Sequence, residues 1–199
     1  MLNFLIFIYL LIFPFPNHAP IGPQVSYRLS PLDSTIEAER WTPELDSLAK
    51  ATEAKYGLPA NLCRAESWKE SKHEPQAIRT EGNYTVGQSK MARLVRARST
   101  AFSRKHHGIP SFLTEVFQEG SSHTRFQILG VNVRALGCTT PFLSDIPDSD
   151  AFAYFGKFYA PLFKRYDLYH AIGRYNGPRF PASYPREVLS LMEQFNGRN

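Results

Sequence analysis

Residues 58–78, LPANLCRAESWKESKHEPQAI, constrain this chain more than any other stretch. Pro59 sits where a helix tolerates proline, in the first turn, and Pro75 stops any helix that runs far beyond Ser71. Between them Leu62, Cys63, Glu66 and Glu70 follow at spacings of one, three and four, so both glutamates lie on one face. A short helix of this kind has an apolar side that other helices must cover. Two glutamates four residues apart repel when both are ionised, which raises one pKa, yet most such pairs are solvated helix surface. Taken alone, the pair leaves an acid–base role and a surface role both open.

The rest of the chain supplies helices and no long strand pattern. Leu45, Leu48, Ala49 and Tyr56 recur at helical spacing with Thr52 in register, between Thr42 as N-cap and Gly57 as stop. A helical run starting at Ser111 ends at Gly120, and Val131–Leu136 reads as a short helix stopped by Gly137. After the loop PFLSDIPDSD, the positions Phe152, Phe155, Phe158, Tyr159, Leu162 and Phe163 read as one helix despite Pro161. A helix over 168–174 runs into a turn at Tyr175-Asn176-Gly177-Pro178, and 184–195 forms a last amphipathic helix. The fold class expected is mainly α, and 199 residues with 43% hydrophobic content suit one sizeable core.

The first 19 residues, MLNFLIFIYLLIFPFPNHA, hold an apolar run from Leu2 to Phe15. It is shorter than the roughly 20 residues a membrane-spanning helix needs, and reads as a signal peptide or uncleaved anchor. Export to the periplasm or cell envelope is therefore expected, with weak membrane association through this segment where it is retained. Residues 20–41 read as a linker. The 15 prolines fit an extracytoplasmic chain, in which Cys63 and Cys138 could pair or remain two buried apolar residues. Neither has a Cys or His at zinc-ligand spacing, and no metal or cofactor is expected.

Net charge is +5, a mild bias toward acidic partners. The most basic segment is KMARLVRARSTAFSRKHH at 90–107, where Met91, Leu94, Val95 and Phe102 give an apolar side. A solvated helix with a basic face accounts for this better than nucleic-acid binding, so no nucleic-acid partner is expected. His106 and His107 are adjacent and point apart on a helix, which argues against metal ligation. The surrounding 79–120 stretch reads as an insertion of weaker order.

Three separated pieces, ESKHEPQAI at 70–78, SHTRFQILG at 122–130 and AIGRYNGP at 171–178, together resemble the lytic transglycosylase (SLT) family of lysozyme-like enzymes. The resemblance covers about 42–195, including YGLP at 56–59 and a late Y-x-x-x-VL at 184–189. It implies a lysozyme-like domain over 42–199 that cleaves the β-1,4 bond between N-acetylmuramic acid and N-acetylglucosamine in peptidoglycan, leaving 1,6-anhydro ends. The family's spacing to Pro59 and Pro75 selects Glu70 as the catalytic acid and leaves Glu66 structural. Ser71, Gln127, Tyr175 and Asn176 become positioning groups, with Tyr84 and Phe126 as ring faces against the glycan.

The chain departs from the pattern where the family has Gly-Leu-Met-Gln and this sequence has Thr124-Arg125-Phe126-Gln127. A β-branched residue there replaces a glycine that lets a backbone approach the sugar. Gly173-Arg174 also differs from the family's alanine. Two other readings stay open: a goose-type-lysozyme-like hydrolase, which needs a second carboxylate such as Asp145, Asp148 or Asp150 to activate water, and a non-catalytic wall-binding module.

Overall fold

The structure is a computed structural model, and it describes residues 37, 39–81, 84, 89–177 and 180–196. The expected signal or anchor segment and nearly all of the expected linker lie outside the described residues.

Local sequence explains where the helices start and stop. Helix α1 (Pro43–Tyr56) begins on Thr42 with proline at its first position, carries Glu44 and Asp46 near its positive end, and stops at Gly57, φ 72°. It buries Leu45, Ala49 and Thr52. Helix α2 (Ala60–Ser71) buries Leu62, Cys63, Ala65, Glu66, Ser67 and Trp68. Two consecutive left-handed residues, Lys72 and His73 with φ 55° and 64°, end it before Pro75 is reached.

Beyond α2 come strand β1 (Arg79–Thr80), helices α3 (Lys90–Lys105) and α4 (Phe112–Glu119), and strands β2 (Ser121–His123) and β3 (Ile128–Leu129). Helices α5 (Gly130–Ala135), α6 (Asp148–Phe163), α7 (Leu168–Asn176) and α8 (Ser183–Asn196) complete the chain. The mainly α class holds. The strands form one antiparallel sheet in the order β1-β2-β3, pairing Arg79 with Ser122 and His123 with Ile128. Strands of two or three residues are too short to leave an alternating pattern, which is why the sequence shows none.

Helix α2 packs chiefly on α8 and α1, α1 on α6, and α7 on both α6 and α8. Their shared core is rich in rings: Phe126 stacks on Phe155 at 4.2 Å between centroids and meets Phe152 edge-on at 4.9 Å. The described part of the 79–120 stretch is mostly helical. Its helices α3 and α4 close a second small core with α5 from Val95, Val116 and Val131. Gly130 permits this, because a Cβ there would stand 2.0 Å from the Gln118 carbonyl oxygen of α4.

Residues before 42 also pack against the helices. Trp41 is buried, and the fully buried Glu37 is held by two bonds from Arg64, at 2.6 and 2.9 Å. Burial alone would raise the Glu37 carboxyl; the His73 ring 3.5 Å away and the two bonds and charge of Arg64 outweigh it and hold it at about 2. Burial depresses the His73 pKa, against the opposing pull of the Glu37 carboxylate. Cys63 and Cys138 are both free and buried, so they act as small apolar core residues.

Candidate active site

Helix α2 places Glu66 and Glu70 one turn apart but in different surroundings. Glu66 is wholly inaccessible to solvent, whereas Glu70 is half-buried. Glu66 accepts a hydrogen bond on Oε1 from the Tyr159 hydroxyl of α6 at 2.5 Å. Its Oε2 lies 2.6 Å from the Tyr184 hydroxyl of α8, which also bonds Glu70 Oε1. One phenol oxygen therefore bridges the two acids.

One phenol hydrogen between two carboxyls constrains the state of this bridge. Tyr184 has one hydrogen and two carboxyl neighbours, so the second bond needs a hydrogen from a carboxylic acid. Burial first, and then the charge of Glu66, raise the phenol pKa values of Tyr159 and Tyr184 well above the usual range, so both stay protonated. Burial, reinforced by the charge of Glu70, pushes Glu66 up to about 8. Burial raises Glu70 too, against the opposing Tyr184 hydrogen bond and the charges of Arg79 and Lys69. The bridge Glu66–Tyr184–Glu70 thus needs at least one carboxylic hydrogen, and shifting two hydrogens along it moves a proton from Glu66 to Glu70.

The hairpin loop 124–127 is tied to the end of α2. Ser71 Oγ lies 2.8 Å from the Arg125 carbonyl and 3.1 Å from that of Ser67. Arg125, almost fully buried, donates to the His73 carbonyl at 2.8 Å and grips Asp148 at the start of α6 with two bonds of 2.8 and 2.7 Å. Gln127 Nε2 donates to the carbonyls of Ala77 and Thr124 at 2.8 and 3.0 Å. The Tyr175 hydroxyl donates to the Phe126 carbonyl, and its ring stacks on Tyr159 at 4.8 Å. The three pieces that carried the resemblance therefore meet around one end of α2.

Several expected roles change. Phe126 does not offer a ring face to a ligand: its ring is fully buried among Phe152 and Phe155, and its backbone carbonyl does the work at this corner. Tyr175 and Asn176 belong to the last turn of α7 rather than to a loop; Tyr175 is half-buried and Asn176 exposed. Gln127 spends its amide nitrogen on the main chain, so any ligand contact falls to its carbonyl oxygen. Tyr84 is half-buried, with its N–H donating to the Glu81 carbonyl at 2.8 Å. Asp148 is committed to Arg125.

Thr124 adopts φ 65°, the left-handed conformation a glycine takes freely and a β-branched residue takes at a cost of roughly 1–2 kcal/mol. The Phe126 N–H reaches its hydroxyl at 3.3 Å. Gly173 is also explained locally, since a Cβ would stand 2.3 Å from the ring of Phe180. Tyr159 was legible only as a helix-face aromatic and Arg125 only as a departure from a motif; Tyr184 stood in the late Y-x-x-x-VL match, which was the available sign of its place here. A pocket of about 310 Å³ opens beside His73, Pro75 and Arg125. Its lining is the Arg125–Asp148 side of the loop rather than the paired glutamates.

Compared with known proteins, the chain matches no family model, no curated protein and no solved structure.

Proposed function

We propose that the protein is a peptidoglycan lytic transglycosylase with Glu70 as its single general acid and base. The observation that carries this reading is the bridge at the end of α2: a half-buried acid whose pKa is raised by burial, coupled through Tyr184 to a fully buried acid that stores a proton. Breaking a glycosidic bond needs a proton on the leaving oxygen while positive charge develops at the anomeric carbon. Glu70 donates that proton, and Tyr184 then holds the resulting carboxylate by a charge-assisted hydrogen bond. The carboxylate takes the proton of the sugar's C6 hydroxyl, whose oxygen bonds C1, giving a 1,6-anhydro end without consuming water. General acid–base help of this kind is worth about 10²–10⁴-fold, and substrate positioning supplies the remainder.

A hydrolytic outcome would need a second carboxylate free to activate water. Asp148 is poorly suited, because both its oxygens accept from Arg125. The test is Glu70→Gln on purified cell wall. Loss of glycan turnover with retained sedimentation on wall material supports the reading, and unchanged turnover overturns it. The expected partner is peptidoglycan glycan, and the expected location is the cell envelope.

A further inference from the structure

The described surface concentrates its apolar exposure in one place. Among its exposed large hydrophobic residues, Ile109, Phe112, Leu113 and Phe117 fall within nine residues, at 63, 40, 75 and 46% exposure. Three of them lie on α4, whose amphipathy is inverted. Its inward face carries Glu115, Gln118 and Glu119 beside Val116, while Leu113 and Phe117, four apart, line the outward face with Phe112 next to them. The inward acids have partners: Arg134 grips Glu115 with bonds of 2.6 and 2.9 Å, and Arg98 stands 3.6 Å from Glu119. Burying acids to turn phenylalanine and leucine outward is costly unless that face has an apolar partner.

Charge identifies the partner. Residues 85–114 contain no Asp or Glu but hold Lys90, Arg93, Arg96, Arg98, Arg104 and Lys105. Lys90, Arg93, Arg104 and Lys105 are exposed. Ile109 is presented on a turn pinned by Ser103, whose hydroxyl donates to the Pro110 carbonyl at 3.0 Å, and by the Gly108 N–H on the Ser103 carbonyl at 2.8 Å. A soluble polyanion would meet the cations and leave the rings in water. An anionic bilayer satisfies both, taking the apolar face into its interfacial layer and the cations against its headgroups.

We propose that the α3–α4 hairpin is a docking surface for an anionic lipid bilayer, through Ile109, Phe112, Leu113 and Phe117 together with the exposed cations of the adjoining α3. It is separate from any attachment through residues 1–19 and independent of the proposed catalysis.

The test uses the full chain with Leu113→Cys, labelled with an environment-sensitive fluorophore; Cys63 and Cys138 are buried and escape labelling. Vesicles of phosphatidylcholine with about one-third phosphatidylglycerol should blue-shift the emission, and 0.5 M salt should weaken the response. In a Phe112→Ser/Phe117→Asp background, partitioning measured by that signal should fall at least about tenfold, with the circular dichroism spectrum unchanged. Sedimentation with vesicles but no blue shift would assign binding to the N-terminal segment and overturn the proposal. So would blue-shifted emission before vesicles are added, which means the chain or a second copy already covers the face. Binding to polyphosphate or duplex DNA with no response to vesicles would overturn it in favour of a soluble polyanion.

Discussion

Glu66→Gln isolates the buried half of the proton bridge. A glutamine is the isostere of the protonated acid: its oxygen can accept from Tyr159 and its nitrogen donate to Tyr184, which still donates to Glu70. Wild-type Glu66 ionises at about 8 in the folded protein against 4.5 in the unfolded chain. Its folded pKa is raised, so its contribution is fully present below pH 4.5 and is lost as pH climbs toward 8. At 1.36 kcal/mol per pKa unit, the loss is about 3 kcal/mol at pH 7 and approaches about 5 kcal/mol above pH 8. Glutamine has nothing to lose. Urea denaturation at pH 5, 7 and 8 should find the variant ahead by no more than about 1 kcal/mol at pH 5 and by about 3 kcal/mol at pH 7. Glu119, also pushed up to about 8 by burial, titrates in both proteins and cancels from the difference. A stability difference that stays constant from pH 5 to 8 would refute the buried, neutral Glu66 and the proton bridge with it.

Thr124→Gly should relieve the left-handed strain at φ 65° and, after the entropy cost of glycine, leave the fold level or up to about 1 kcal/mol more stable by thermal melting. The Arg125–Asp148 pair should respond asymmetrically in the same assay. Asp148→Ala leaves a buried guanidinium without its carboxylate and should cost about 3 kcal/mol, whereas Arg125→Met leaves a partly exposed acid that water can solvate and should cost less. Phe126→Ala should cost about 3–5 kcal/mol of stability, as expected for a core ring. A loss of glycan affinity with no loss of stability would return Phe126 to the surface.

What was legible in the sequence divides along physical lines. Helices announced themselves through spacing and through caps: Gly57 ends α1 in the left-handed conformation its place suggests, and Pro161 falls in the last turn of α6. The three strands were hidden by their brevity. At the site, the meeting of 70–78, 122–130 and 171–178 followed from a resemblance, but the role of each side chain did not. Whether Phe126 turns inward depends on Phe152 and Phe155, which approach from 26 and 29 residues away in sequence. The Tyr184 bridge spans more than 100 residues, and no local pattern records which acid a distant hydroxyl will meet. The inverted face of α4 was equally unreadable, since burying Glu115 depends on Arg134 arriving from α5.

The most direct measurement is mass spectrometry of the fragments released from purified peptidoglycan by the wild-type chain and by Glu70→Gln. Muropeptides ending in 1,6-anhydro-N-acetylmuramic acid, one water lighter than hydrolysis products and missing from the Glu70→Gln digest, are the predicted result. Reducing ends, or the same products from both proteins, would contradict Glu70 as the single acid and base of a lytic transglycosylase.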